Sequence, residues 1–266
     1  MDHTQIMGVI NITPDSFYDG GRIQTPEAAR THAERLRQEG ADWLDIGGES
    51  SRPGADPIGV DEELRRVVPV LEALSGVGLP LSIDTYRAET ARRALALGAT
   101  MVNDISALRS DPDMPGVVAE SGCWCVLMHM QGTPRNMQEA PKYGDVVSDI
   151  CAFFEERMEA VSRAGVREER IWLDPGFCFG KTVEHNLEML RRLPEFKKFG
   201  RPVLIGTSNK STIGKVLDVP VEDRLEGTAA TVAIAVFQGA DGLRVHDVKA
   251  MKRVARMSEA IRDGRG

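Results

Sequence analysis

Short apolar runs rich in Val, Ile and Leu recur along the chain, and most stop at a polar side chain. Ile6–Asn11, Trp43–Gly47, Leu81–Asp84, Met101–Asp104, Cys123–His129, Ile171–Asp174, Val203–Gly206 and Gly242–Val245 read as strands. They are apolar without alternation, as strands covered on both faces must be. Between them lie stripes at helical spacing: Ala28, Ala29, His32, Ala33 and Leu36; Val147, Ile150, Phe154, Met158 and Val161; Ala250, Val254, Met257 and Ile261. Steps of three and four put each set on one face of a helix, where core packing accounts for it. Eight such strand–helix units in ~250 residues have the size and rhythm of a (β/α)8 barrel. An open doubly wound sheet is the alternative, but the first turn, Asn11-Ile12-Thr13-Pro14-Asp15, has no glycine-rich dinucleotide fingerprint. No linker or composition break interrupts the pattern. The sequence therefore predicts an α/β protein with one TIM-barrel domain over residues 1–266.

In such a barrel the chemistry belongs at the carboxyl ends of the strands. Standing there are Asn11, Asp45 with Glu49, Asp84, Asn103 with Asp104, His129, Asp174, the loop Gly206–Ser211, and Arg244 with His246. Packing alone does not explain a polar ring on apolar strands.

Composition narrows what the ring can bind. The 266 residues are 42% hydrophobic and 27% charged, ordinary for a globular protein. The net charge of −7 and the lack of a Lys/Arg-rich stretch argue against a nucleic-acid partner. The basic residues of 252–265 alternate with acids and read as the solvated face of a last helix. No secretion signal and no apolar run near the ~20 residues of a membrane span are evident, so no membrane partner and a cytoplasmic location are expected. Cys123 and Cys125 would point the same way on a strand, roughly 6.5 Å apart, which suits buried thiols better than a disulfide.

Asp84, Asn103 and Asp174 close three strands. Two carboxylates and an amide converging at depth match a flat heterocycle that presents N–H and NH2 groups. Capping of the next turn or helix is the plain alternative, and it suits Asp104 better than Asp84 or Asp174. Lys210 offers a cation to a heterocycle carbonyl, and Ser211, near a helix start, offers a hydroxyl to a carboxylate. Arg244 and His246 lie two apart on one side of a strand. With Arg52 and Ser51 they would cradle a diphosphate, because guanidinium groups match phosphate oxygens in pairs. Asn11 would lend an oxygen to Mg2+, which takes few protein ligands when phosphates and water complete its shell. The ring offers electrostatic groups and no nucleophile paired with a base.

These blocks resemble the dihydropteroate synthase family, the sulfonamide-sensitive enzymes of folate synthesis, over nearly the whole chain. The matching segments are MGVINITPDSFYDGG (7–21), DIGGESSRPGA (45–55), SIDTYR (82–87), VNDIS (102–106), LDPGFCFGKT (173–182), GTSNKSTIG (206–214) and GADGLRVHDV (239–248). The resemblance implies condensation of 6-hydroxymethyl-7,8-dihydropterin diphosphate with 4-aminobenzoate, giving 7,8-dihydropteroate and diphosphate. It implies that Asp84, Asn103, Asp174 and Lys210 hold the pterin, with Met128 and Gly206 also among the substrate-binding residues. Asn11, Arg52, Arg244 and His246 would hold diphosphate and Mg2+, and Ser51, Arg52, Pro53, Phe179 and Ser211 the aminobenzoate. The catalytic groups would be Arg52, Lys210, Arg244 and His246, and the protein a homodimer. A methyltetrahydrofolate-binding methyltransferase domain would share the pterin residues without needing the diphosphate cradle. A pterin-binding relative without turnover is the other alternative. Two positions depart from the family pattern: Asn209 stands where Arg is usual, and Ser51 where Thr is usual. Loops 12–22 and 48–60, rich in Gly, Pro, Ser and Asp, are expected to be mobile and to close after the diphosphate binds.

Overall fold

The computed structural model describes residues 3–13 and 25–264, and over them strand and helix alternate as expected. The order is β1 (Gln5–Asn11), α1 (Pro26–Glu39), β2 (Trp43–Gly47), α2 (Val60–Ala73), β3 (Leu81–Asp84), α3 (Ala88–Ala96), β4 (Ala99–Asp104), α4 (Met114–Ser121) and β5 (Trp124–Met128). There follow α5 (Val146–Arg163), β6 (Ile171–Asp174), α6 (Val183–Arg191), β7 (Leu204–Ile205), α7 (Ser211–Leu217), α8 (Leu225–Phe237), β8 (Gly242–Val245) and α9 (Val248–Asp263). The eight strands pair in parallel in the order β6-β5-β4-β3-β2-β1-β8-β7. A single parallel bridge, Leu173 to Val203, brings β7 against β6 and closes the ring.

The period of two along each strand sorts the side chains into two columns. One column, including Ile6, Ile10, Leu44, Ile46, Ile83, Val102, Leu127, Leu173 and Leu243, packs outward under the helices. The other points into the barrel, where Met7, Met101, Val126, Trp172 and Leu204 form a plug flanked by Trp43 and Trp124. Gly242 makes room for that plug: a Cβ there would lie 2.6 Å from the Trp172 ring. Two residues farther along the same inner column come Asp45, Asn103, Met128, Asp174 and Gly206, so the polar ring sits directly on the aromatic floor. That step of two is why apolar strands deliver polar side chains to one mouth.

Strand β7 is shorter than the predicted Val203–Gly206. The Val203 amide donates to the Asp241 carboxylate at 2.7 Å, and Pro202, with no N–H, contributes only its carbonyl, to Leu173 N. The short helix α7, which follows β7 before α8, begins at Ser211, where the sequence places a helix start although no apolar stripe marks it. Three helix starts are capped by side chains: Thr25 accepts from Ala28 N, Asp145 from Ser148 N, and Thr182 with His185 forms a reciprocal box at the start of α6.

The stripe read on the last helix is wrong in phase. Val248, Met251, Ala255 and Ser258 are its buried face, whereas Met257 and Ile261 are about 60% exposed, at 60% and 61%. The four cysteines are free thiols, with Cys123 and Cys125 packed in the outward cluster. Among the described residues no helix is long and apolar enough to cross a membrane.

Candidate active site

At the barrel mouth one guanidinium organises the ring. Arg244 Nε donates to Asp45 Oδ2 at 2.6 Å and its NH2 donates to Asp84 Oδ2 at 2.7 Å. Asn103 Nδ2 donates to the same Asp45 oxygen at 3.1 Å. Asp45 is fully buried, so it serves as a fixed counter-ion beneath the site, and this is a role the sequence reading did not assign to it. Its other oxygen, Oδ1, is buried with no hydrogen-bond partner. The two carboxylates hold Arg244 fully charged, against the cost of burying it. The absence of a side chain at Gly47 keeps the space between Asn11 and Asp84 open: a Cβ there would lie 3.5 Å from both Asn11 Oδ1 and Asp84 Oδ2.

Burial pushes Asp84 up to about 7, with Arg244 opposing and Asp45 reinforcing the shift. Asp174 is raised to about 6, again by burial, against the Gly176 amide and the charges of Lys210, Lys181 and Arg244. Asp174 Oδ1 accepts from Gly176 N at 2.7 Å, so the turn contact expected of a capping Asp is present here too. Each carboxylate nevertheless keeps one oxygen, Asp84 Oδ1 and Asp174 Oδ2, without a protein partner among the described residues. Lys210 carries its ammonium 4.5 Å above the Phe179 ring, and burial lowers its pKa. Met128 and Phe179 share an apolar cluster with Ile105, Met130 and Met137, with Tyr86 packed against it.

His246 is pinned by Ser208. The Ser208 hydroxyl lies 2.9 Å from Nδ1 and accepts from His246 N at 3.2 Å. An oxygen that already accepts the amide hydrogen is best satisfied by donating its own to Nδ1, which leaves the proton of the imidazole on Nε2. Burial, then Arg244, Lys210 and Arg52, lower His246 to about 3, so it is a neutral donor at pH 7. The sequence reading saw no nucleophile beside a base, and the Ser208–His246 pair corrects it in part. The serine is buried and already accepts the His246 amide, which makes it a tether for the ring.

Several strand-end residues fall elsewhere. Asp104 is in the outward column and accepts from Ser106 N and Leu108 N at 2.6 and 3.1 Å, the turn-capping role anticipated for it. Glu49 turns toward Tyr86 and Arg87. His129 is buried and pairs with Lys181, whose Nζ lies 2.9 Å from His129 Nδ1 and donates to Phe179 O at 2.9 Å. Burial lowers Lys181 to about 7. Lys181 thus ties the β5 and β6 loops together behind Phe179, and its position inside a quoted motif was the only hint the sequence offered. Gly176 and Gly180 permit that approach: at positive φ, a Cβ would sit 1.9 Å from His129 O and 2.6 Å from Gln131 O. Ser211 donates to Cys178 Sγ at 3.7 Å. Ser51, Arg52 and Pro53 stand on the β2–α2 loop, whose tip is held by Gly54 N donating to Pro134 O at 3.0 Å. Of the mobile-loop expectation for 12–22, residues 14–22 lie outside the described residues. Asn209, at φ 58, accepts from Arg224 through its carbonyl at 2.8 Å.

For a magnesium ion the donor set is thin. Among the described residues no three His, Cys, Asp or Glu side chains gather to hold a metal. The amide oxygen of Asn11, beside Asp84, fits an ion whose remaining ligands are phosphate and water.

Residues 7–246 match the model of the pterin binding enzyme family. The dihydropteroate synthase of Synechocystis is 45% identical over 260 residues, covering 97% of this chain and 90% of that protein. The Yersinia pestis dihydropteroate synthase, solved with a sulfonamide drug, superposes with a TM-score of 0.95 at 44% identity, covering 98% of this chain and 95% of that one. The Xanthomonas albilineans dihydropteroate synthase, solved with 4-aminobenzoic acid, gives 0.90 at 45% identity, covering 98% and 93%. This chain belongs to the dihydropteroate synthase family of pterin binding enzymes, which are transferases.

Proposed function

We propose that the chain joins 6-hydroxymethyl-7,8-dihydropterin diphosphate to 4-aminobenzoate, forming 7,8-dihydropteroate and releasing diphosphate. One observation carries the assignment: a half-buried guanidinium held between Asp45 and Asp84 at the mouth, with Asp174 and Lys210 alongside. The unclaimed oxygens of Asp84 and Asp174 accept from the N–H and NH2 groups of the pterin, Asn103 serves a mixed edge of the ring, and Lys210 donates to its carbonyl. Met128, Phe179 and Gly206 line the flat faces. The carbon attacked is a methylene on an electron-rich ring, so positive charge forming there spreads into the pterin. Loss of diphosphate is then the costly step. Arg244, Arg52 and the Nε2–H of His246 stabilise the charge growing on its oxygens. A magnesium ion carried on the diphosphate and held by Asn11 would add further electrostatic stabilisation there. The aniline nitrogen is unprotonated at neutral pH and needs no strong base. Ser51, Arg52, Pro53, Phe179 and Ser211 receive the carboxylate end of the aminobenzoate. The displacement passes through no covalent enzyme intermediate, and trapping a pterin attached to the protein would refute this.

The whole chain is read as one domain, acting as a homodimer in the cytoplasm. Four free thiols support that compartment. Ile234, Phe237, Met257 and Ile261, an exposed apolar set on the paired helices α8 and α9, support self-association. The deciding measurement is diphosphate release on mixing the pterin diphosphate, 4-aminobenzoate and Mg2+. No release above a mixture lacking the protein would overturn the assignment.

A further inference from the structure

The β2–α2 loop, which carries Ser51, Arg52 and Pro53, leaves the barrel through a closed neck. At its start, Arg66 donates to Gly48 O at 2.9 Å, and Gly48 lies so close to α2 that a Cβ would meet Val67 at 2.7 Å. At the next residue, Glu49 Oε1 accepts from Tyr86 OH at 2.6 Å. Glu49 Oε2 accepts from Arg87 at 2.7 Å and from Ile58 N at 2.9 Å, across the base of the loop. Arg87 completes the knot. Its NH2 also donates to Ile58 O at 2.5 Å, and its NH1 donates to Glu63 Oε2 at 2.9 Å. Glu63 is fully buried and accepts in addition from Thr90 at 2.8 Å. Residues 49 and 58 are therefore tied both to each other and to the start of α3, and only 50–57 lie outside the knot. None of the knot's side chains is among those assigned to substrate.

We propose that Arg87, through Glu49 and Ile58, is a positioning residue for the aminobenzoate end of the site: it sets the two ends of the loop that presents Ser51, Arg52 and Pro53. A guanidinium is suited to the task because one planar group reaches Glu49, Glu63 and a backbone carbonyl together, which an ammonium cannot do in the same geometry. Among the described residues, the polar groups assigned to the pterin ring, on β3, β4, β6 and the β7 loop, make no hydrogen bond to the knot. A loop with a slack neck samples more conformations, and the affinity of whatever it binds falls by the fraction that is competent. This inference rests on the aminobenzoate assignment above.

The test combines kinetics with hydrogen exchange on Arg87→Met, Arg87→Lys and Glu49→Gln. Losing a charge-assisted bond at the neck should raise the KM for 4-aminobenzoate about tenfold or more in Arg87→Met, while the dissociation constant for a pterin lacking the diphosphate stays within about twofold. Arg87→Lys should recover part of the loss. In an Arg52→Ala background Arg87→Met should add little, because both act on the same loop. Amide exchange over 49–60 should quicken in each variant, and that readout needs no turnover. Should Arg87→Met fail to fold with Glu63 uncompensated, Glu49→Gln reads the same split with the arginine retained. Unchanged exchange over 49–60, equal loss toward 4-aminobenzoate and toward a pterin lacking the diphosphate, or an undiminished Arg87→Met effect without Arg52 would each overturn the proposal. A wild-type chain without turnover would sink the assigned reaction instead, leaving exchange to judge the knot.

Discussion

Asp45 shows how much a single buried residue decides at this mouth. It holds Arg244 from below and fixes the amide of Asn103, so both reach the ligand already oriented. Replacing it with Asn would leave the guanidinium with one ionic partner. Hydrogen bonds to charged groups are worth about 1.5–3 kcal/mol, so Asp45→Asn should lower kcat/KM roughly 10- to 100-fold in a diphosphate-release assay. Asp84→Asn should instead act mainly on pterin affinity, read by calorimetry, whereas Arg244→Ala should mainly slow turnover; unchanged turnover in Arg244→Ala would remove it from the leaving-group role. The raised carboxyls also give a pH signature. Asp84 and Asp174 sit at about 7 and about 6 against an ordinary 3.8. In the free protein they stabilise the fold most below their ordinary value and lose that contribution as pH rises through 6 to 7. Ring N–H donors need the ionised forms, so pterin should bind more tightly from pH 5.5 to 8, releasing protons. Calorimetry in two buffers of different ionisation enthalpy reads that release, and none at pH 6 would contradict the assignment. Sequence inspection found Asp84, Asn103, Asp174 and Arg244 because each ends an apolar run. It placed Asp45 in the ring without a role and passed over Lys181, because their partners lie far away along the chain.

At the scale of the element, the parallel strands were legible because burial on both faces leaves a continuous apolar run. Helices were legible only where one face is polar. Helix α8, apolar nearly all round, has no stripe to read, and on α9 the exposed Met257 and Ile261 displaced the apparent phase. Inside the barrel, Gly242 faces Trp172 so closely that a methyl would collide with the ring. Gly242→Ala should cost about 1–3 kcal/mol, measured by denaturant unfolding, with the free energy falling and the slope preserved. An unchanged midpoint would mean the tryptophan floor yields easily, and that the polar ring above it is less rigid than the packing implies.

For the whole molecule, the exposed set on α8 and α9 bears on assembly. Ile234 and Phe237 are 49% and 52% exposed on α8, and Met257 and Ile261 are exposed on α9, which packs against it. Two glutamates in place of Phe237 and Met257 would bury charge in an apolar contact. Phe237→Glu with Met257→Glu should give a monomer by sedimentation where the wild type is a dimer, with the fold retained by circular dichroism. A wild type that sediments as a monomer at micromolar concentration would remove the homodimer from the reading.

Local order in the chain determined the architecture and the polar ring. Strand length, continuous apolarity and the polar residue at each run's end are properties of consecutive residues, and a period of two places them on one side of a barrel wall. What only the tertiary structure decided were relations between distant segments: Arg244 between Asp45 and Asp84, Lys181 behind Phe179, Ser208 on His246, and the neck at Arg87. Those depend on side-chain reach across the mouth, and a buried ion pair gains its energy from a distance in space that separation along the chain does not encode.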